Sequence, residues 1–285
     1  MNPPTNTSIG AQPQVVTPEL PSSDHAPGSS EMKILRSGVD RRRDTSAAAI
    51  LAAHLFAQGD HDIPGVSYAV GYRLADVLCG GDIVDVYQFD NDAVAFSIAD
   101  ISGKGAEAAV HAALIKYGLR AYSSQGLNPE KAMRAMDRLY LENCSFESIE
   151  SFATVFLGIV DPRRRMMTYA SAGHEAVILL DPHTEPRVLP PTCPLIGVFD
   201  DQHHLFRQDH VELWPGSLLV ATSDGITEAR DQSGGFFGLE RLVECVVAHR
   251  DDDPAQLLDA IVDRVSAFSN DNWEDDVAVL VTRFA

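Results

Sequence analysis

The chain has 285 residues, of which 45% are hydrophobic and 22% are charged, a composition typical of a folded protein with one large domain or two small ones. Forty-one Asp and Glu side chains against 22 Lys and Arg give a formal net charge of -19. Because nucleic acids and anionic membranes repel so acidic a protein, neither is expected as a partner. No apolar stretch reaches the roughly 20 residues that span a bilayer, and no signal-peptide pattern is present, so a cytoplasmic location is predicted.

The distribution of residue types divides the chain into three regions. Residues 1–44 are rich in Pro, Ser and Thr and poor in large apolar side chains, which predicts a disordered tail. Residues 45–60 contain an apolar helix, TSAAAILAAHLFAQ, which either packs against the domain or acts as a dimerisation or switch element. Residues 61–285 are predicted to form one folded domain.

Within the folded domain, apolar runs and turn residues predict strands and helices in chain order. VSYAVGY is a strand, and the stretch Cys79 to Ala108 is predicted as strand, turn, strand, glycine turn and helix. A helix begins at Pro129, followed by short strands up to Leu213, a buried strand ending at Asp224, two helices and a last strand that starts at Asp275-Asp276. Because strands and helices occur in separate runs, an α+β fold with antiparallel sheets is favoured over a doubly wound parallel sheet.

Four aspartates share one setting, the junction between an apolar strand and a turn. Asp82 follows two glycines, Asp100 ends AVAFSIAD, Asp224 ends SLLVATSD, and Asp275 opens the last strand. Each alone is typical of a turn residue. If strand ends converge on one rim of stacked sheets, however, four carboxylates would repel one another unless cations held them. Ligands that are all oxygen suit Mg²⁺ or Mn²⁺ and not zinc.

Seven motifs occur in the order typical of one family: GGDIVD, IADISGKGAEAA, SFATVFLGIVD, YASAGHEAVILL, TSDGITEAR, GGFFGLERL and EDDVAVLV. Together they resemble the SpoIIE/RsbU-type branch of the PPM metal-dependent serine/threonine phosphatases. The resemblance implies a β-sandwich of two antiparallel sheets flanked by helices, in α-β-β-α layers. It also implies two divalent cations, Mn²⁺ or Mg²⁺, and hydrolysis of phosphoserine or phosphothreonine by a water activated between them.

The resemblance also assigns the site residues. Asp82 would bridge the two cations, and Asp100 would bind with the backbone carbonyl of Ile101. Asp224 and Asp275 would complete the metal ligands, so that the catalytic set is Asp82, Asp100, Asp224 and Asp275. Asp276 would support this set, and four residues would form a phosphate-binding turn beside it: Ser102, Gly103, Lys104 and Gly105.

Other positions in these motifs are predicted to have lesser roles. His174 is expected to be a structural turn residue, and Asp85, Asn143 and Glu228 are expected to be structural or to belong to a substrate loop. No arginine is identified as a clamp for the phosphate, and no general acid is identified.

The resemblance implies that the substrate is a phosphorylated regulatory protein, such as an anti-sigma-factor antagonist. An activator protein or a homodimer acting through residues 45–60 is a candidate regulator. The alternative is a catalytically silent PPM-fold binding module in a partner-switching pathway. A diguanylate cyclase is disfavoured because Ile83-Val84 follows GGD and the motifs at Asp224 and Asp275 would be unexplained. SGKG lacks the spacing of a Walker P-loop.

Overall fold

The structure is a computed structural model. It describes residues 31–34, 63–73, 80–89, 92–103, 105–144, 151–198 and 202–285. The predicted helix from Thr45 to Gln58, Lys104 and most of the predicted disordered tail lie outside these residues.

Eleven strands lie within the described residues: β1 Glu31–Ile34, β2 Val66–Arg73, β3 Ile83–Gln88, β4 Val94–Ile101, β5 Ala153–Asp161, β6 Met166–Ala172, β7 Val177–Leu180, β8 Arg187–Val188, β9 Asp209–Glu212, β10 Leu218–Thr222 and β11 Val277–Phe284. The helices of the same residues are α1 Gly105–Ser124, α2 Pro129–Cys144, α3 Asp224–Thr227, α4 Gly238–Ala248 and α5 Pro254–Ser269, with a 3₁₀ turn at Gln202–Leu205. In this part of the chain, no helix has the length and apolar character needed to cross a membrane.

The strands form two sheets. The first sheet has the order β1-β2-β11-β10-β7-β8 and the second has the order β3-β4-β5-β6-β9. Neighbouring strands are antiparallel except β1 and β2, which pair in parallel. The expected antiparallel α+β architecture is thereby confirmed.

The two faces of each sheet explain why its strands are apolar almost throughout. Successive side chains of a strand point to opposite faces. In β4, Phe96 and Ile98 are buried between the two sheets, whereas Ala95 and Ala99 are buried against α1 and α2. The first sheet is covered in the same way by α4 and α5, through buried side chains such as Leu258. Layers of helix, sheet, sheet and helix result, as the resemblance implies.

The presence of strand β1 differs from the prediction that residues 1–44 form a disordered tail. Its four residues, EMKI, pair with Ala69 to Tyr72 of β2 at the edge of the first sheet. The segment is short, but it alternates polar and apolar residues as a strand does. Without β1, strand β2 would be the edge of this sheet, and its unpaired backbone groups could accept another segment. A small part of the N-terminal region is therefore joined to the folded domain.

Two strand ends also differ from the prediction by a few residues. The last strand begins at Val277, so Asp275 and Asp276 lie just before it. Strand β10 ends at Thr222, and Asp224 is the first residue of the short helix α3. Asp275 therefore lies in the segment before β11, and Asp224 lies at the start of α3. Both remain close to the strand ends.

Candidate metal centre

Asp82 and Asp100 lie on the second sheet, at the rim of the space between the sheets. Strands β3 and β4 pair with Ile83 opposite Ala99 and Val84 opposite Ile98, so continuing this register places Asp82 opposite Asp100. Both aspartates point to the face that carries Val84 and Ile98, because they lie an even number of residues away. The two carboxylates therefore face the first sheet where the apolar core ends.

Gly81 brings the backbone before Asp82 against the end of β4. A Cβ atom at Gly81 would lie 2.5 Å from the carbonyl oxygen of Ile101, a distance that no real side chain tolerates. Only glycine allows this approach. The second glycine of GGD thus lets the backbone directly before Asp82 approach the carbonyl of Ile101.

The first sheet contributes acids from the two segments that follow β10 and precede β11. The Ser223 hydroxyl donates a hydrogen bond to the Asp82 carboxylate and accepts one from the Ala278 amide at 2.9 Å. Gly225 packs against the carbonyl of Asp276 so closely that a Cβ atom would clash. The start of α3 is therefore held against the residues before β11, and this contact brings Asp224 and Asp276 to the same rim.

The electrostatic couplings show that these carboxylates form one group, hereafter the carboxylate cluster, consisting of Asp82, Asp100, Asp224, Asp275 and Asp276. Burial and the charge of Asp100 raise the pKa of Asp82 well above its usual value. Burial and the charge of Asp275 raise the pKa of Asp100 to about 6. Burial and the charges of Asp100 and Asp275 raise the pKa of Asp224 to about 7. Asp100, Asp275 and Asp276 thus make the ionisation of neighbouring carboxylates less favourable, whereas a hydrogen bond with Asp82 lowers the pKa of Asp100.

Two further acids act on the carboxylate cluster that were not assigned to it from the sequence. The exposed side chain of Glu175 raises the pKa of both Asp100 and Asp224, and Glu228 raises that of Asp224. Glu228 belongs to the motif TSDGITEAR and was expected to be structural or to lie in a substrate loop. Glu175 follows His174, and its only signal was its place in YASAGHEAVILL. The effect of Glu228 is local, since it lies four residues after Asp224 at the end of α3, whereas Glu175 acts from the connection between β6 and β7.

The donors of the carboxylate cluster have the chemistry that a divalent cation requires. One buried oxygen of Asp82, Oδ2, has no hydrogen-bond partner, although a buried carboxylate oxygen normally has one. Within the described residues, no group of three or more His, Cys, Asp or Glu side chains is arranged to hold an ion. An ion held here would therefore need a backbone carbonyl or waters among its ligands besides the carboxylates, as is usual for Mg²⁺.

The glycine turn after β4 adopts the conformation that its sequence predicts. Gly103 and Gly105 have φ angles of 106° and 81°, a region that favours glycine. The Ser102 amide donates to the Phe152 carbonyl and the Phe152 amide donates to the Ser102 hydroxyl, both at 2.9 Å. Ser102 is therefore held against the start of β5, and the turn begins one residue after Ile101. The position of the Lys104 side chain relative to it stays a prediction.

His174 and Asp85 are buried, as structural residues would be. The Nδ1 atom of His174 lies 3.0 Å from the hydroxyl of Thr154, and burial lowers the pKa of His174 to about 4, so the ring is neutral at pH 7. Asp85 binds Arg120 and Lys116 of α1. Asn143 donates to the carbonyl of Leu139 within α2. These contacts agree with the structural roles expected for the three residues.

Comparisons with known proteins agree with the fold and the motifs. The model of the family "Stage II sporulation protein E (SpoIIE)" matches residues 90–285. The phosphoserine phosphatase RsbU of Bacillus subtilis is 26% identical over 202 residues, which cover 70% of this chain and 58% of RsbU. The chain spans between 30% and 58% of the length of the first curated relatives that it matches.

Solved structures share the arrangement of the two sheets and the helices. The RsbU and RsbW domains of Rv1364c from Mycobacterium tuberculosis match with a TM-score of 0.66 and 22% identity, over 78% of this chain and 60% of that one. RsbX, solved in complex with magnesium, matches with a TM-score of 0.59 and 15% identity, over 77% of this chain and 96% of that one. Because the family model covers more than half of the sequence, the chain belongs to the SpoIIE family.

Proposed function

We propose that this chain is a metal-dependent phosphatase that hydrolyses phosphoserine or phosphothreonine on a protein. The observation that carries the proposal is the carboxylate cluster, in which Asp82, Asp100 and Asp224 all have raised pKa values. Carboxylates that repel one another in this way are stabilised in their charged form by a bound cation. The curated relative RsbU is named a phosphoserine phosphatase, which supports a phosphomonoester as the substrate.

The proposed ligands follow from the position of each donor. Asp82 is central, because it lies opposite Asp100 and accepts a hydrogen bond from Ser223 of the other sheet. It would bridge two cations, Mn²⁺ or Mg²⁺. Asp100 with the Ile101 carbonyl would bind on one side, and Asp224 and Asp275 on the other. Bound there, such cations would neutralise the carboxylates, polarise the phosphoryl group and lower the pKa of a bridging water.

The chain's own residues would prepare the site for an anionic substrate. Burial of Asp82 and its hydrogen bond from Ser223 fix the orientation of that carboxylate. Asp276 would support Asp275, whose Oδ1 accepts the Asp276 amide at 3.0 Å. The turn from Ser102 to Gly105 would present backbone amides and Lys104 to the phosphate. Fixed groups of this kind lower the barrier because they need no reorganisation during the reaction.

The proposed substrate is a phosphorylated regulatory protein, such as an anti-sigma-factor antagonist. Two observations support a partner-switching role: the relatives RsbU and RsbP are named phosphoserine phosphatases, and the matching structure of Rv1364c contains an RsbU and an RsbW domain. An activator protein or a homodimer acting through residues 45–60 would regulate the site. The alternative proposal, a silent binding module of the same fold, would use these partners without turnover.

The direct test is hydrolysis of a phosphoserine peptide by the full chain, with Mn²⁺ and after its removal by a chelator. We expect phosphate release that requires Mn²⁺ and that is abolished in Asp224→Asn. Asp263→Asn is the matched control, since Asp263 is exposed on α5 and outside the carboxylate cluster. It should retain the activity of the wild type.

Two results would contradict the proposal. Equal hydrolysis with and without Mn²⁺ would exclude the proposed site as the source of activity. Absence of hydrolysis by the wild type with saturating Mn²⁺ and a phosphorylated protein substrate would favour the binding module.

A further inference from the structure

The turn between α3 and α4, residues 230–237, is a rigid support for one exposed arginine. Arg230 and Phe236 form an isolated antiparallel bridge at its base. Inside it, Oδ1 of Asp231 accepts hydrogen bonds from the Ser233 amide at 2.8 Å, the Ser233 hydroxyl at 2.6 Å and the Gly235 amide at 2.9 Å. These bonds lower the pKa of Asp231. These hydrogen bonds all lie within the turn itself.

The guanidinium of Arg230 lies over the exposed side chain of Phe236. Its guanidinium carbon is 4.3 Å from the centre of the Phe236 ring, a distance typical of a cation–π contact. The backbone at Phe236 is held by Arg241, whose Nη1 donates to the carbonyls of Phe236 at 3.2 Å and Phe237 at 2.8 Å. The position of the Arg230 guanidinium is therefore restricted by its contact with Phe236.

Two acidic residues, Glu274 and Glu228, relate the position of Arg230 to the carboxylate cluster. Its Nε atom lies 3.7 Å from the carboxylate of Glu274, the residue directly before Asp275. Glu228, two residues before Arg230, raises the pKa of Asp224. Arg230 thus belongs to the segment that follows Asp224, and its guanidinium contacts the segment that precedes β11.

The present ion pair of Arg230 is weak and can be exchanged for another anion. The distance to Glu274 is long, and the side chains of Arg230 and Glu274 are 43% and 59% exposed. An exposed pair of this kind contributes little to stability. The hydrogen bond that Nη1 of Arg230 donates to the carbonyl of Gly234 is also long, at 3.4 Å. A stronger oxyanion at the rim would therefore displace Glu274 at little cost.

We propose that Arg230 binds a phosphoryl oxygen of the substrate. The proposal rests on the phosphatase function proposed above. A phosphate monoester is a dianion that must approach several carboxylates, so a cation at the rim would favour its binding. Arginine is suited to this task because its planar donors match phosphate oxygens. Phe236 would act as a positioning residue, since it touches the arginine and orients it.

The test compares Arg230→Ala, Arg230→Lys and Phe236→Leu in the full chain with saturating Mn²⁺. The substrates are p-nitrophenyl phosphate and a phosphoserine peptide, and inorganic phosphate is used as a product inhibitor. For Arg230→Ala we expect KM and the inhibition constant of phosphate to rise together by about tenfold or more, the usual effect of a lost charged hydrogen bond. We expect kcat to change little, because the contact is made in both ground and transition states.

The other variants refine the result. Arg230→Lys should restore part of the affinity, since a lysine keeps the charge but not the planar donors. Phe236→Leu should raise KM less than Arg230→Ala. Arg264→Ala is the matched control, because it removes the same charge from an exposed ion pair with Glu244 on α4 and α5. It should change neither constant.

The outcomes separate this inference from the proposed function. If the wild type hydrolyses both substrates and Arg230→Ala leaves KM and phosphate inhibition unchanged, the inference is wrong and the phosphatase function stands. A rise in KM for the peptide alone would also overturn it, because the arginine would then bind the peptide and not the phosphate. A lower melting temperature with a lower kcat and an unchanged KM would assign Arg230 a structural role. A wild type without Mn²⁺-dependent activity would contradict the proposed function itself.

Discussion

Asp82 and Asp85 lie three residues apart around strand β3, and both are buried, with 4% and 2% of their surfaces exposed. An odd separation places them on opposite faces of the sheet. Asp85 faces the helical layer and Asp82 faces the space between the sheets. The same side chain, at almost the same place in the chain, therefore meets two different environments.

Asp85 is fully compensated by cations. Arg120 donates from Nε to Oδ2 at 2.9 Å and from Nη2 to Oδ1 at 2.7 Å, and Nζ of Lys116 lies 3.7 Å from Oδ1. The Arg120 guanidinium also stacks on Tyr87, with 4.5 Å between the charged carbon and the ring centre. Burial lowers the pKa of Lys116. A buried ion pair with such partners connects α1 to β3 and gives the helix a fixed position.

Asp82, by contrast, faces other carboxylates. Its Oδ2 has no hydrogen-bond partner, and Asp100, Asp276 and Asp224 all oppose its ionisation. The comparison indicates that burial alone does not mark a functional acid. A buried carboxylate that is paired with cations stabilises the fold, and one that is surrounded by acids is ionised only at a cost, which the proposed cation would remove.

The largest effect that would separate the two aspartates is on catalysis. Asp82→Asn should reduce the Mn²⁺-dependent rate by about a thousandfold, because bound metal contributes several kcal/mol of transition-state stabilisation. The variant should fold as well as the wild type, since an amide removes the repulsion from Asp100. The measurement is the initial rate with p-nitrophenyl phosphate, together with the circular dichroism spectrum. A variant with more than a tenth of the wild-type rate would refute the central role of Asp82.

The next effect is on stability, and it concerns Asp85. Asp85→Asn leaves Lys116 and Arg120 without their carboxylate, and breaking a buried pair typically costs about 3 kcal/mol or more. Urea unfolding monitored by fluorescence would measure the loss. An unchanged free energy of unfolding would mean that Asp85 is not needed to attach α1 to β3.

A smaller effect is the pH dependence of the protein without metal. Folding raises the pKa of Asp100 to about 6 and that of Asp224 to about 7. The folded state thus binds protons more tightly than the unfolded state, so its stability should fall as the pH rises from 4 to 7. Melting temperatures after chelation would show this fall, and Asp224→Asn should show less of it. Equal slopes for wild type and variant would contradict the predicted repulsion at Asp224.

The smallest effect is expected for the ion pair of Arg264 and Glu244, which lies outside the surroundings of both Asp82 and Asp85. Arg264 Nη2 lies 2.7 Å from Glu244, and the two side chains are 40% and 65% exposed. Glu244→Gln should change the free energy of unfolding by less than about 1 kcal/mol. A loss as large as that of Asp85→Asn would show that exposure does not distinguish these pairs.

Local sequence patterns predicted most of the fold. The runs around Phe96, Leu157 and Val220 are apolar on both faces and became buried strands, and helix α1 ends at Ser124 as its pattern indicated. Strand β1 was not predicted, because four residues carry too little pattern and its pairing depends on β2, more than 30 residues away.

The site was predictable only in part. The glycines next to Asp82 and Asp224 indicated these two acids as candidate site residues. The electrostatic interaction between the two is seen only in the structure. The cations that compensate Asp85 were not predicted, since Lys116 and Arg120 look like ordinary helix residues until α1 packs on β3. Arg230 was not predicted either, because its contacts with Glu274 and Phe236 depend on the folded turn and cannot be inferred from their separation in the sequence.

Calorimetric titration of Mn²⁺ into wild type, Asp82→Asn and Asp85→Asn tests the central claim most directly. The claim is that the acids around Asp82 bind a divalent cation, whereas Asp85 supports the fold. We predict that the wild type binds Mn²⁺, that Asp82→Asn weakens binding by more than about tenfold, and that folded Asp85→Asn retains a larger share of the affinity. Equal Mn²⁺ affinity for wild type and Asp82→Asn would contradict the account.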